Sequence, residues 1–299
     1  MSYSLKTELE IGAVLGESPI WSKKENALYF VDILAPSIHR FEPETRKHSV
    51  FQVQEHIGCI GLRENGGFIA AMRNGVFLLN SSGEMEKKIA DNPTDPIHSR
   101  FNDGKVDPWG RFWCGTIWEP RDFLNGKLCR VDSNLNLEVK AGDILVSNGL
   151  AFSPDRKWMF HSDTPNHILY RYPLDTTTGE IAGSREVFMK FEKPQPNQLY
   201  GGRPDGGTFD REGYYWSAQF GGGRVLRISP DGKISDEIKL PVNWPTMVCF
   251  GGEDLKTLYI TSSRENRTEE ELREFPQSGN LFSVRLHVAG CEEPFFKEK

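Results

Sequence analysis

The chain of 299 residues carries 36 Lys and Arg against 42 Asp and Glu, a formal net charge of -6 at pH 7. The two signs are interspersed and no basic cluster stands out, which argues against binding to nucleic acid or to an anionic membrane surface. Apolar residues make up 37% of the chain beside 29 glycines, a globular balance that excludes extensive disorder. We expect a small molecule as its partner, and a monomer or a weak homo-oligomer.

The N-terminal residues and the cysteine spacing bear on where the protein works. Residues 1–12 contain no apolar stretch long enough for a secretion signal, and no segment approaches the apolar length of a membrane span. The cysteines show neither CxxC nor Cys/His metal-site spacing; they are Cys59, Cys114, Cys129, Cys249 and Cys291. These features predict a cytoplasmic protein whose cysteines are reduced and serve as small buried side chains.

The first predicted element is residues 6–12, KTELEIG, which has no neighbour in sequence with which to pair. After it, one pattern recurs six times: a small or polar residue, an apolar residue four positions later, and then turn formers. The opening residues are Glu17, Gly58, Asn102, Asn148, Asp205 and Thr246. Most are separated by about 40 to 50 residues, the period of four-stranded propeller blades.

Further short segments in each repeat are rich in β-branched and aromatic residues and are bounded by turn formers, as is typical of strands. The second segments are 27–32, 67–72, 111–116, 157–163, 214–219 and 257–262, and the third are 37–43, 75–80, 126–132, 167–173, 224–230 and 280–286. A more polar fourth segment follows, except in the last repeat.

Two segments interrupt this order. Residues 190–204, KFEKPQPNQLYGGRP, add a Pro/Gly-rich loop before Asp205. This loop is either a solvated insertion or a cover over the face where Asp205 begins its strand. Residues 267–275, RTEEELREF, are the best helix candidate, and we assign this short charged segment to a surface connection.

The sequence therefore predicts an all-β fold: a six-bladed β-propeller with four antiparallel strands per blade, as a single domain over residues 1–299. The N-terminal strand is expected to supply the missing strand of the last blade. This pairing would close the ring and protect that blade's edge.

The opening residues occupy the same position in each repeat. In a propeller, equivalent residues of the innermost strands form a ring at one mouth of the channel, so these residues are expected to lie close together. Four openings are polar side chains: Glu17, Asn102, Asn148 and Asp205. Any one of them alone would be explained as a turn former, but four in one phase favour a functional ring. Their carboxylate and amide oxygens suit calcium, and less strictly magnesium or manganese. A cation with open positions would polarise a carbonyl oxygen or lower the pKa of bound water.

The residues around Asn102 extend this prediction. Arg100 offers a fixed donor fork to a hydroxyl-rich or carbonyl substrate, with a structural salt bridge as the alternative. Asp103 and Lys105 are interpreted as structural. Glu119, at the end of the next strand, is placed to return to the same mouth.

Five motifs carry a resemblance over essentially the whole chain: GESPIW, RFNDGKVDPWGRFWCGT, SNGLAFSPD, PDGGTFDREGYYW and GGGRVLRISPDG. They closely resemble the gluconolactonase and regucalcin family, also called the senescence marker protein family. The resemblance implies a six-bladed propeller that binds one divalent cation near the channel mouth and hydrolyses sugar lactones. By motif, Glu17, Asn148 and Asp205 look like metal ligands, and Arg100 and Asn102 look like substrate contacts.

The chain departs from the regucalcin pattern after Gly115 and Thr116. A pair of glutamates stands there in that pattern, whereas this chain has Ile117, Trp118, Glu119 and Pro120. Glu119 is expected to fill the substrate-contact role. Trp118 and the loop 190–204 are expected to alter which sugar fits.

The implied mechanism is hydrolysis of a lactone whose carbonyl is held by the cation, most consistent with Ca²⁺, with Zn²⁺, Mg²⁺ or Mn²⁺ as alternatives. Asp205 is the predicted general base for the attacking water, and no GxSxG element supports a serine nucleophile. A broader metal-dependent esterase or organophosphatase is the first alternative. A calcium-binding regulatory propeller without turnover is the second.

Overall fold

The computed structural model describes residues 3–299, so Met1 and Ser2, with which the predicted domain begins, lie outside the described residues. Almost all regular structure is β. The strands are β1 Leu5–Leu9, β2 Gly16–Ser22, β3 Ala27–Asp32, β4 Ser37–Glu42, β5 Lys47–Gln52, β6 Ile57–Leu62, β7 Phe68–Met72, β8 Gly75–Leu79, β9 Met85–Asp91, β10 Ser99–Val106, β11 Phe112–Trp118, β12 Gly126–Val131, β13 Leu137–Ile144, β14 Ser147–Phe152, β15 Trp158–Asp163, β16 Ile168–Pro173, β17 Glu186–Lys190, β18 Arg203–Phe209, β19 Tyr215–Phe220, β20 Arg224–Ile228, β21 Ile234–Lys239, β22 Pro245–Gly251, β23 Thr257–Ser262 and β24 Leu281–Arg285.

The strands form six antiparallel sheets of four, which are the blades. Blade one is β2–β5, blade two β6–β9, blade three β10–β13, blade four β14–β17 and blade five β18–β21, whereas blade six has the order β1-β24-β23-β22. The innermost strand of each blade contacts the innermost strands of both neighbours, and β22 contacts β2. The predicted six-bladed β-propeller is confirmed, whereas the single domain over 1–299 stays a prediction.

The N-terminal strand closes the ring as predicted. Leu5 pairs with Val284 in the register of β1 with β24. The buried Glu8 accepts a hydrogen bond of 2.7 Å from Ser283 Oγ and forms an ion pair with Arg46 of blade one. The strand therefore completes the last blade and also ties it to the first.

From Tyr3 to Lys299, helical structure is limited to two short pieces. A 3₁₀ turn covers Thr164–Asn166, and the helix α1 covers Glu269–Glu274 with no buried residue. Thr268 and Glu271 close a capping box at the start of α1, which places a surface helix inside the predicted segment 267–275. Within residues 3–299, no helix combines the length and apolar character needed to cross a bilayer.

The core lies between the blades rather than in the channel. Six buried apolar clusters each fill the contact between two adjacent blades. Between blades six and one, Trp21 stacks on Tyr259 with ring centroids 5.8 Å apart. Between blades four and five, Phe160 packs against Tyr215 at 5.1 Å. Each large apolar side chain buried in this way contributes about 1.5–3 kcal/mol, which holds the ring rigid around the channel.

Burial decreases from the channel outward. Every residue of β2 and β6 is buried, whereas β5 and β9 contain only exposed and half-buried residues. The outermost strands are thus the polar fourth segments of the sequence pattern, because one of their faces is solvated.

The turn after the innermost strand explains the aspartate-to-tryptophan spacing of two motifs. Asp107 Oδ2 accepts from Trp113 Nε1 at 2.8 Å and from Arg111 Nε at 2.6 Å. In blade five, Asp210 Oδ2 accepts from Trp216 Nε1 at 2.9 Å. These buried carboxylates fix the tight turns at the far end of the channel.

The C-terminal segment 286–299 crosses this far end. Phe296 is fully buried and its amide donates to Leu62 O at 2.8 Å. Lys105, which the sequence analysis interpreted as structural, forms an ion pair of 2.9 Å with Glu293 of this segment. The end opposite the opening residues is therefore covered by the chain itself.

Candidate active site

The opening residues share one structural position because the same irregularity recurs in every blade. The register between the innermost and the second strand shifts at or next to each opening residue. The shifts lie between Glu17 and Ile20, Ile57 and Cys59, Phe101 and Gly104, Asn148 and Ala151, Pro204 and Gly207, and Pro245 and Val248. A bulge changes the direction of a side chain that regular pairing would point toward a neighbouring blade. Six equivalent bulges thus present six equivalent positions at one mouth.

Four of these positions and Arg100 line one cavity at that mouth. The five side chains are only 3% to 7% exposed, although they come from four blades; they are Glu17, Arg100, Asn102, Asn148 and Asp205. The structure therefore brings together the residues that the sequence placed in one phase. Their roles as ligands, substrate contacts or base remain predictions.

The other two openings serve packing. A Cβ at Gly58 would lie 2.5 Å from Phe101 O, so the innermost strands of blades two and three approach too closely for a side chain. Thr246 Oγ1 bonds to Gly16 O and lies 2.8 Å from Thr261 Oγ1. Both positions join neighbouring blades instead of entering the cavity.

A chain of hydrogen bonds fixes the amide side chains. Arg100 Nη1 donates to Asn102 Oδ1 at 2.7 Å, and Asn102 Nδ2 donates to Asn148 Oδ1 at 2.6 Å. Asn148 Nδ2 then donates to Thr164 Oγ1 at 2.8 Å, and Thr164 Oγ1 donates to Pro204 O at 2.8 Å. The donors set the orientation of both amides, so Asn148 presents its oxygen on the side of Asn102.

The two carboxylates of the ring are held in an unfavourable environment for negative charge. Burial, and then the charges of Asp205 and Asp103, raise the pKa of Glu17 well above its usual range. Burial raises the pKa of Asp205 to about 8, against an opposing effect of Arg203. Neither carboxylate has an ion-pair partner within 4 Å among residues 3–299.

Asp103, interpreted as structural from its sequence, has a second effect on the site. Its carboxylate accepts from Gly104 N at 2.7 Å and from Leu150 N at 2.9 Å, which is a structural role. Burial nevertheless raises its pKa to about 6, and its charge raises the pKa of Glu17 and Asp205. Asp103 therefore adds negative potential below the ring.

This donor set fits a hard divalent cation. In the part of the chain from residue 3 onward, no three His, Cys, Asp or Glu side chains form a cluster able to hold a metal; the ring instead offers two carboxylates and one amide. Buried carboxylates without a counter-charge are costly. A cation held by Glu17, Asn148 and Asp205 would remove that cost, and oxygen donors with room for water are what calcium prefers.

Glu119 lies beside the cavity rather than in its lining. Its carboxylate forms a two-point pair with Arg73, at 2.9 Å and 2.8 Å, and lies 3.7 Å from Arg100 Nε. Burial is the largest single influence on the pKa of Glu119 and raises it, but the hydrogen bond and charge of Arg73 and the charge of Arg100 together lower the pKa below its usual range. The structure gives Glu119 a contact with Arg100, and its predicted contact with substrate stays a prediction.

Sequence reasoning missed several lining residues because they lie outside the repeat phase. They are Arg121, Thr164, Arg203, Phe220 and Glu265, among others. The loop 190–204 was expected to be either a solvated insertion or a cover over the face where Asp205 begins its strand. Residues 192–199 are exposed. Near its end, Tyr200 OH lies 3.4 Å from His167 Nε2, and Arg203 lines the cavity. Arg203 could have been assigned to the cavity from sequence, because it lies only two residues before Asp205.

Fold and site together define a β-propeller with a cavity, lined by buried carboxylate and amide side chains, at one mouth of its channel. A family model described as "SMP-30/Gluconolactonase/LRE-like region" matches residues 15–264, and the chain belongs to this family. The resemblance noted from the motifs is thereby confirmed, and with it the prediction of a gluconolactonase-like enzyme at the level of the family.

Individual relatives match over nearly their whole length. A 6-deoxy-6-sulfogluconolactonase of Pseudomonas putida is 57% identical over 296 residues, 99% of both chains. Regucalcin of Xenopus laevis is 36% identical over 303 residues, 98% of this chain and 99% of its own. The solved structure of a calcium-binding regucalcin from Agrobacterium tumefaciens superposes with a TM-score of 0.92 at 26% identity, covering 99% of this chain and 98% of the other.

Proposed function

We propose that this protein is a divalent-metal-dependent hydrolase that opens sugar lactones to the corresponding sugar acids. The observation that carries the proposal is the convergence of Glu17, Asn102, Asn148 and Asp205, with Arg100, in one buried cavity. Membership of the gluconolactonase family and the name of the 57% identical relative support a lactone as substrate. That name also makes gluconolactone and its 6-deoxy-6-sulfo derivative the first substrates to test.

Glu17, Asn148 and Asp205 are the proposed ligands of one divalent cation, and Ca²⁺ is the first candidate. The donor set supports this choice because it contains only oxygen atoms, and one structural neighbour is described as a calcium-binding protein. When bound, the cation would act as a Lewis acid toward the lactone carbonyl.

Asp205 is proposed as the general base. Its carboxylate takes a proton from the water whose oxygen bonds to the carbonyl carbon, the ring C–O bond breaks, and the proton passes to the released hydroxyl oxygen. A general base must be ionised to take this proton; burial alone favours the protonated form of Asp205, and a cation beside the carboxylate would favour the ionised form. Arg100 and Asn102 are proposed to hold and orient the sugar by donating hydrogen bonds.

The experiment is a hydrolysis assay after complete removal of divalent ions and re-addition of Ca²⁺, Zn²⁺, Mg²⁺ or Mn²⁺ singly. Acid release from gluconolactone, 6-deoxy-6-sulfogluconolactone and an aryl ester is followed, with spontaneous opening subtracted. Metal-dependent lactone turnover well above ester turnover is expected. Preferred ester turnover would instead identify an esterase, and tight calcium binding without any turnover would identify a regulatory propeller.

A further inference from the structure

Two arginine side chains in the lining of the cavity form no ion pair or hydrogen bond with the described residues, 3–299. Arg100 is occupied by Phe101 O and Asn102 Oδ1. Arg121 and Arg203 line the same cavity, and across residues 3–299 neither side chain has a carboxylate partner within 4 Å or a hydrogen bond. An arginine that lines a cavity without a partner in the protein has its donors free for a ligand.

The fold holds Arg203 in place without using its charge. It begins β18, two residues before Asp205, and pairs with Phe220 in the register of β18 with β19. Its guanidinium carbon lies 5.1 Å from the centroid of the Phe220 ring, and its Nε is buried without a partner. The ring thus supports one face of the guanidinium plane, while the donor edge remains available.

Arg121 lies in a turn that directly follows the residues at which the chain departs from the regucalcin pattern. The turn is closed by Arg121 N, which donates to Trp118 O at 3.1 Å, and by Trp118 Nε1, which donates to Asp122 Oδ1 at 2.7 Å. Arg121 adopts φ = +56°, a left-handed conformation that is uncommon for a side-chain-bearing residue. Trp118 packs on Phe123 at 5.0 Å, which anchors the turn. The turn that follows the departure in sequence therefore places Arg121 in the lining of the cavity.

The charge balance of the cavity indicates what these arginines bind. The proposed cation would compensate the carboxylates of Glu17 and Asp205. The remaining charged lining residues are one carboxylate, Glu265, and three arginines, so the lining keeps an excess of positive charge. Guanidinium forks match the oxygen geometry of sulfonate, phosphate and carboxylate groups.

We propose that Arg121 and Arg203 form a subsite for an anionic substituent of the lactone, a sulfonate or phosphate distant from the reacting carbonyl. This assignment rests on the proposed lactone hydrolysis and adds to it the residues that select a charged substrate. A neutral sugar lactone would use the same catalytic residues but would leave both guanidinium groups without a partner.

The test compares gluconolactone, its 6-deoxy-6-sulfo derivative and its 6-phosphate with the metal-loaded enzyme. Arg203→Gln and Arg121→Gln are expected to lower kcat/KM for the two anionic lactones by about 10- to 100-fold, the scale for losing a charge-assisted hydrogen bond. The value for gluconolactone should fall clearly less than the values for the two anionic lactones, although Arg203→Gln also removes a positive charge that acts on Asp205. The ratio between sulfonate and phosphate in the wild type identifies the preferred anion.

Arg156→Gln is the matched control. Arg156 also has a left-handed backbone, φ = +59°, and lies in the turn after β14, at the end of that strand opposite Asn148. Its guanidinium carbon lies 5.9 Å from the Trp109 ring centroid. This variant should leave all three substrates unchanged.

The outcomes separate this inference from the proposed function. Equal losses for neutral and anionic lactones would overturn the subsite and leave lactone hydrolysis standing. Absence of turnover on every lactone with every cation would overturn both. If the glutamine variants fail to fold, as judged by circular dichroism, the wild-type preference decides: the subsite requires kcat/KM at least about 10-fold higher for an anionic lactone than for gluconolactone.

Discussion

Asn102 Nδ2 donates a hydrogen bond of 2.6 Å to Asn148 Oδ1, joining blades three and four across 46 positions of the chain. The bond fixes which end of the Asn148 amide faces Asn102. The opposite end, Nδ2, is then committed to Thr164 Oγ1. The proposed ligand oxygen is therefore oriented by neighbours on both sides, as second-shell groups commonly orient metal ligands.

Thr164→Val should weaken cation binding without removing a ligand. The change deletes the acceptor of Asn148 Nδ2 and the donor to Pro204 O, so the amide loses its fixed orientation. We expect Kd for Ca²⁺ to rise about 10- to 100-fold, the scale of second-shell losses. Thr164→Ser retains the hydroxyl and should bind as the wild type does. Isothermal titration calorimetry measures both, and equal affinity in the valine variant would exclude a positioning role.

Asp205→Asn and Glu17→Gln should respond differently to added metal. Both lose a carboxylate ligand, which a hard cation prefers to an amide, so both should bind metal more weakly. Asp205→Asn also removes the proposed base, and its kcat at saturating metal should stay about 10²-fold or more below the wild type. Glu17→Gln should recover most activity. Full rescue of Asp205→Asn in a metal titration would leave Asp205 as a ligand only.

Arg100→Ala tests whether this guanidinium binds substrate. Asn102 keeps its own bonds to Asn148 Oδ1 and Ser147 O in this variant, so the metal ligands should stay in place. KM should rise or kcat/KM should fall by about 10-fold or more, with the Kd for metal nearly intact. Steady-state kinetics and calorimetry on the same preparation decide, and abolished metal binding would contradict the assignment.

Deletion of residues 1–12 should strip β1 from blade six. The partner strand β24 then has an open edge, and Ser283 and Arg46 lose their bonds to Glu8. We expect the free energy of unfolding to fall by several kcal/mol, measured by urea denaturation. Lys6→Ala removes an ion pair of 3.0 Å with Glu8 from a side chain that is 61% exposed, but it keeps the strand and should cost at most about 1 kcal/mol. An unchanged melting temperature after the deletion would refute closure by β1.

Stability should decrease as pH falls from about 6.5 to about 4 because His39 is buried in its neutral form. Burial, and then the His48 charge, lower the pKa of His39 to about 4, and its ring stacks on Phe30 at 4.6 Å. Below pH 6.5 the unfolded chain takes up this proton while the folded chain does not, which favours unfolding. The loss attributable to His39 approaches about 3 kcal/mol at pH 4, at about 1.4 kcal/mol per pKa unit.

The measurement is the urea unfolding free energy across that pH range. His39→Gln should flatten the slope, since glutamine does not titrate. His98→Gln is the control, because His98 is 52% exposed beside Asp95, and it should leave the slope as it is. Identical slopes in the wild type and His39→Gln would show that other groups govern acid sensitivity.

The blades were predictable from sequence because burial imposes a local period. Buried inner strands, polar outer strands and turn formers recur along the chain, and the unpaired segment 6–12 indicated how the ring closes. The ring of Glu17, Asn102, Asn148 and Asp205 was predictable for the same reason. A bulge at each equivalent position turns equal phase in sequence into proximity in space.

The tertiary structure alone decided what surrounds that ring. Thr164 and Arg121 lie in connections with no period, whose paths depend on packing against other blades, so nothing in the sequence assigned them to the cavity. The raised pKa of Glu17 likewise depends on Asp205 and Asp103, which are distant in sequence and close only after folding. Periodic burial is encoded locally, whereas the electrostatics of the site arise from charges that meet when the ring closes.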